Sequence, residues 1–137
     1  MSAWDMVLSP KGLRFRGRTY PCSTGKTGLT NRKREGDGAT PRGVHRIVGM
    51  LYRPDRMAQP TDWAVPIRPR DLWSDAESHA DYNTMVTAPY THSHEVLRRA
   101  DPLYDLVLIT DWNWPYAVPG RGSAIFVHQW RRPGYPT

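Results

Sequence analysis

Short apolar or alternating runs, each broken within a few residues by Gly or Pro, set the pattern of this chain. Met6-Val7-Leu8, Leu13-Arg14-Phe15 and Arg18-Thr19-Tyr20-Pro21-Cys22 come first, separated by Lys11-Gly12 and Arg16-Gly17. Strand-length runs joined by Gly-containing turns predict a β-meander. Val44-His45-Arg46-Ile47-Val48 reads as a further strand, as do residues 103–110 and 124–128. Leu106-Val107-Leu108-Ile109 and Ala124-Ile125-Phe126-Val127 are continuously apolar, the pattern of central strands covered on both faces. Residues 93–99 are the one helical candidate. Ser93 can cap the first turn, Glu95 sits within it, and Arg98 and Arg99 complement the C-terminal end of the dipole. Residues 55–89 show no convincing period and read as a long irregular insertion. Thirteen Pro and 11 Gly leave little room for long helices, so the fold class is mainly β.

Composition narrows the class. At 137 residues the chain is read as a single domain, 1–137, long enough to bury a core. Hydrophobic residues at 39% fit a globular domain, and no apolar run is long enough for a transmembrane segment. No basic stretch followed by an apolar stretch opens the chain, so no secretory signal is visible in it. The net charge of +6, mostly from Arg, favours polyanionic or carboxylate-bearing partners. The single cysteine, Cys22, excludes an internal disulfide. Six Trp and seven Tyr against two Phe suit either a ring-lined groove or ordinary core packing.

Four constellations carry candidate chemistry. Gly25-Lys26-Thr27 lacks the upstream glycine of a phosphate loop, since Tyr20 stands there, and reads better as a turn leaving a strand. His92 and His94, with His79 and Asp81 upstream, have no cysteines to complete a set, and no metal is expected. Glu35-Gly36-Asp37-Gly38-Ala39-Thr40-Pro41-Arg42-Gly43 demands a defined tight loop, of structural or functional use. Gly120-Arg121-Gly122-Ser123 leads into an apolar strand closed by His128, a place for a general base or for a core histidine.

These blocks, in order along nearly the whole chain, resemble the YkuD-type L,D-transpeptidases. The resemblance is carried by Tyr20-Pro21-Cys22-Ser23-Thr24-Gly25-Lys26-Thr27-Gly28 and the Lys33-Arg34-Glu35-Gly36-Asp37-Gly38-Ala39-Thr40-Pro41-Arg42-Gly43 loop. Leu51-Tyr52-Arg53-Pro54-Asp55-Arg56, Asp81-Tyr82-Asn83, Ser93-His94-Glu95 and Leu103-Tyr104-Asp105 look like its middle blocks. Pro119-Gly120-Arg121-Gly122-Ser123-Ala124-Ile125-Phe126-Val127-His128 resembles the strand with the active-site histidine. The resemblance implies a β-sandwich of mixed sheets with one short helix and long irregular loops. It implies cysteine acyl transfer on peptidoglycan stem peptides with no cofactor. His128 is then the expected base, and Tyr104, Arg121, Gly122, Ser123 and Thr137 the expected substrate-binding residues. The family pattern continues past the position of Thr137 to a Gly-Cys pair, whereas Cys22 matches an early strand. The 137 residues alone are therefore expected to lack transpeptidase activity, and to leave an edge beside the His128 strand that favours association or poor solubility. Peptidoglycan as substrate implies the periplasm or cell envelope. A catalytically inactive cell-wall-binding relative and a basic nucleic-acid-binding β domain are the alternatives, with nucleic acid not expected as partner. Oligomeric state is left open.

Overall fold

The structure is a computed structural model that describes residues 2–137. Twelve strands are present among the described residues: β1 (Val7–Ser9), β2 (Gly12–Phe15), β3 (Arg18–Tyr20), β4 (Leu29–Thr30), β5 (Thr40–Pro41), β6 (Ile47–Tyr52), β7 (Val65–Pro66), β8 (Asp71–Ser74), β9 (Met85–Thr87), β10 (His94–Val96), β11 (Leu106–Thr110) and β12 (Phe126–His128). The mainly β class read from the punctuation holds. No helix among the described residues is long and apolar enough to cross a membrane.

The strands form four sheets. β1-β2-β3 is the expected antiparallel meander, with Ser9 opposite Gly12 and Phe15 opposite Arg18. Its second turn runs through Arg16 and Gly17, both at positive φ, where Gly carries no Cβ penalty. β4 and β5 are a short parallel pair. The remaining strands make two layers: β10-β8-β9, antiparallel, and β12-β11-β6-β7, mixed because β7 runs parallel to β6. Leu51, Ile67, Trp73, Leu97, Leu103, Tyr104 and Val107 form the buried core between them. Trp73 of β8 meets Phe126 of β12 edge to face, 4.9 Å between centroids.

The sequence reading needs four corrections. Residues 93–99 are not a helix: His94–Val96 is β10, pairing His94 with Ser74 and Val96 with Leu72. Hydrogen bonds to β8 and the complete burial of Leu97 outweigh the capping and dipole signals, which are worth about 1 kcal/mol each. Residues 55–89 are not one irregular insertion, since they hold β7, β8 and β9. All four β8 residues are buried. That strand, Asp71-Leu72-Trp73-Ser74, carries polar residues at both ends, which hides a covered strand from a search for apolar runs. The strand read at 44–48 begins at Ile47 and continues to Tyr52. Finally, β11 is a middle strand as expected, but β12 is the end strand of its sheet.

Candidate functional site

The glycine-rich loop between β4 and β5 is built by Asp37. Its carboxylate accepts backbone N–H bonds from Arg34 and Ala39, each 2.9 Å, and an ammonium hydrogen bond from the nearly covered Lys33. Burial pushes the Asp37 carboxyl up, but Lys33 and the two amides outweigh it and hold it at about 2. Gly25 explains the preceding motif. A Cβ there would lie 2.4 Å from the Gly38 carbonyl oxygen, and Thr27 N–H donates to that same oxygen at 3.0 Å. Gly25-Lys26-Thr27 wraps the acidic loop rather than a phosphate.

That loop presents Glu35 to the start of the β12 segment. Glu35 Oε1 accepts from the Ser123 hydroxyl at 2.6 Å and the Tyr82 hydroxyl at 2.8 Å, while Glu35 N–H donates to the Gly120 carbonyl at 2.8 Å. Tyr82 in turn accepts the Gly122 N–H at 3.0 Å. Burial first, and the Glu35 carboxylate second, push the Tyr82 phenol well above its ordinary range, so it stays a neutral donor. Gly122 has φ of +105° and packs so tightly that a Cβ would lie 2.9 Å from Lys33 Cε. Asn83, 3% exposed and at φ 59°, completes the anchorage. Its Oδ1 accepts from Trp73 Nε1 at 3.0 Å and Ala124 N–H at 2.9 Å; its Nδ2 donates to the Trp112 and Asn113 carbonyls.

At the other end of β12 stands His128, paired with Val107 of β11. Its Nδ1 lies 2.8 Å from the Gln129 carbonyl oxygen, which can only accept, so Nδ1 carries the proton. Nε2 is left with its lone pair, 3.4 Å from Thr137 Oγ1. The Tyr104 ring stands perpendicular to the imidazole, 5.4 Å between centroids. Tyr104 is itself buried, and its hydroxyl donates to Glu95 Oε2 at 2.6 Å. Burial first, then Glu95, pushes its phenol up beyond the ordinary range. Trp130 Nε1 donates to Ser23 Oγ at 2.9 Å, tying the segment after β12 to the one after β3.

Of the residues singled out in the sequence, His128, Tyr104 and Thr137 come together, whereas Gly122 and Ser123 lie at the anchored end. Arg121 is exposed there, its carbonyl accepting from Trp112 Nε1 at 2.8 Å. Cys22 is exposed. Sequence reasoning gave no role to Tyr82 or Asn83, and placed Glu95 only in the first turn of the expected helix, although each lies in a block quoted for the family resemblance. An Asn between an aromatic and a Thr is a common turn signal, so nothing local marks Asn83 as a four-bond anchor. An open cavity of about 580 Å³ is lined by Glu35, Asp75, Glu77, His79 and His92 among others, and includes none of the residues around His128. The His79 and His92 rings stack at its wall, 3.4 Å between centroids.

In comparison with known proteins, a family model described as the YkuD L,D-transpeptidase catalytic domain matches residues 11–137. No curated protein and no solved structure matches the chain significantly.

Proposed function

Because the chain belongs to the YkuD family of L,D-transpeptidase catalytic domains, we propose that the His128 end of β12 is the proton-handling half of a cysteine acyl-transfer site for peptidoglycan stem peptides. The observation that carries this reading is the tautomer of His128. With Nδ1–H donated to the Gln129 carbonyl, Nε2 is free to accept a proton on the side of Thr137.

In this reading the nucleophile is the cysteine of the Gly-Cys segment that the family pattern places past Thr137. The thiol proton passes to Nε2 of His128 and the sulfur bonds to the stem-peptide carbonyl carbon. Backbone N–H groups near that cysteine stabilise the tetrahedral oxyanion. The C–N bond then breaks, the departing D-alanine amine takes the proton from His128, and a thioester remains. An acceptor amine gives its proton to His128 as it attacks, and the thiol is re-formed when the thioester breaks. Tyr104 and Thr137 flank the imidazole, and Arg121, exposed at the far end with Gly122 and Ser123, is available to a carboxylate of an extended substrate.

The test begins with the coding DNA beyond Thr137 and the protein extended through it. A Gly-Cys pair within a few codons, and a covalent carbapenem adduct seen by mass spectrometry, are the expected results. His128→Ala should slow adduct formation by about 10²- to 10⁴-fold. A tail without cysteine would sink the catalytic reading and favour a cell-wall-binding relative, to be measured as retention on peptidoglycan. Unchanged adduct formation in His128→Ala would remove His128 from the chemistry.

A further inference from the structure

A single hydrogen bond from Nδ1 leaves an imidazole free to tilt about that bond, so some other contact must set the plane of His128. Alternation along β12 puts Phe126 and His128 on one face, and both rings meet the same neighbour. Tyr104 lies 5.9 Å from Phe126 at 77° and 5.4 Å from His128 at 89°. Tyr104 is held from two further directions. Its hydroxyl is fixed by Glu95, on β10 of the opposite layer. The Arg99 guanidinium lies over its ring, 5.7 Å from the centroid. Arg99 is in turn held by Asp101 through two bonds of 2.8 and 2.6 Å.

We propose that Tyr104 is the positioning residue of His128, and that Glu95 makes it one by anchoring the phenol across the two layers. This rests on the acyl-transfer reading of the site. A ring needed only to fill the core would gain nothing from a hydroxyl, and burying one is costly unless it finds an acceptor. Here the acceptor is a carboxylate on the other sheet, so the ring that walls His128 is fixed by the relative position of both layers. The perpendicular wall sets the imidazole plane, the Gln129 carbonyl sets its tautomer, and together they aim Nε2 toward Thr137. The charged groups around this wall are Glu95, Arg99 and Asp101.

The test reads His128 directly by long-range ¹H–¹⁵N correlation in the 137-residue protein, so it does not depend on turnover. The native protein should show one Nδ1–H tautomer at alkaline pH. Tyr104→Leu should let both tautomers appear and displace the His128 ring signals. Tyr104→Phe, which keeps the ring but loses the hydroxyl that Glu95 holds, should displace the His128 signals less than Tyr104→Leu does. Glu95→Gln should give a smaller displacement of the His128 signals in the same direction. In the extended protein, Tyr104→Leu should slow acylation about ten- to a hundredfold, with a displaced pH–rate profile and an unchanged KM. An unchanged His128 tautomer and unchanged ring signals in a folded Tyr104→Leu variant would overturn the proposal and leave Tyr104 as core filling. Should that variant fail to fold, native-like His128 signals in Glu95→Gln would overturn it instead. Absence of acylation in the unsubstituted extended protein, with the tautomer responses intact, would strike the acyl-transfer reading alone.

Discussion

The two ends of the β12 segment are built on opposite plans. At the entry, Gly122, Ser123 and Ala124 are each tied by a hydrogen bond to a side chain from a distant part of the chain: Tyr82, Glu35 and Asn83. At the exit, His128 has one bond to its immediate neighbour in the chain, a perpendicular ring beside it, and a long contact with Thr137. The entry uses up its polar groups on the protein itself. The exit leaves one imidazole nitrogen with only a 3.4 Å contact to the Thr137 hydroxyl. A strand that must present a titratable group needs its backbone placed by something other than that group, and the clamp at the entry does so.

Removing the centre of the clamp tests this contrast most severely. Asn83→Ala strips partners from the Trp73 indole, the Ala124 amide and two carbonyls, and should cost about 3–5 kcal/mol in urea unfolding. If the His128 signals in the still-folded variant remain native, the two ends are independent; if they broaden, the clamp places the imidazole. Gly122→Ala should follow at about 2–3 kcal/mol, because it adds positive-φ strain to a contact with Lys33. Glu35→Gln keeps the shape but weakens the acceptor for Tyr82 and Ser123, an expected loss of about 1–2 kcal/mol.

Acid provides a graded version of the same test. The folded carboxyl of Asp37 sits at about 2, below its ordinary 3.8, so the unfolded state binds more protons between these values. Its contribution is therefore complete above about pH 4 and is lost as pH falls through about 2. Asp55, held low by Arg53, titrates over the same range. The difference between the native protein and Asp37→Asn, followed as the urea midpoint from pH 5 to 2, isolates the loop. The smallest effect belongs to the exit: Thr137→Ala should change stability by less than about 0.5 kcal/mol. A larger loss would mean that Thr137 is part of the scaffold and would blur the contrast.

Some misreadings are as instructive as the matches. Ser93, Glu95, Arg98 and Arg99 satisfy local rules for a helix, yet Glu95 is on a strand with its carboxylate on Tyr104. Helix rules weigh neighbours within four residues, whereas the decisive partners, Ser74 to Leu72 on β8, are 20 to 24 residues away in the chain. β8 itself was missed because Asp71 and Ser74 are buried with local satisfaction: Asp71 accepts the Arg68 amide at 2.7 Å, and Ser74 meets the Tyr90 hydroxyl at 2.8 Å. Buried polar residues with partners look, in a sequence, like exposed ones.

By itself the sequence determined what short-range sterics and hydrophobic pattern decide: the meander and its glycine turns, the apolar β11 strand, and the placement of His128 at the close of a strand. It also carried the family motifs. Only the tertiary structure decided that Tyr82, Asn83 and Glu35 converge on the entry of β12, and that Glu95 reaches Tyr104 beneath the imidazole. The reason is physical: turn and strand preferences act between neighbouring residues, while these side-chain bonds exist only after two packed layers bring separate segments within about 3 Å.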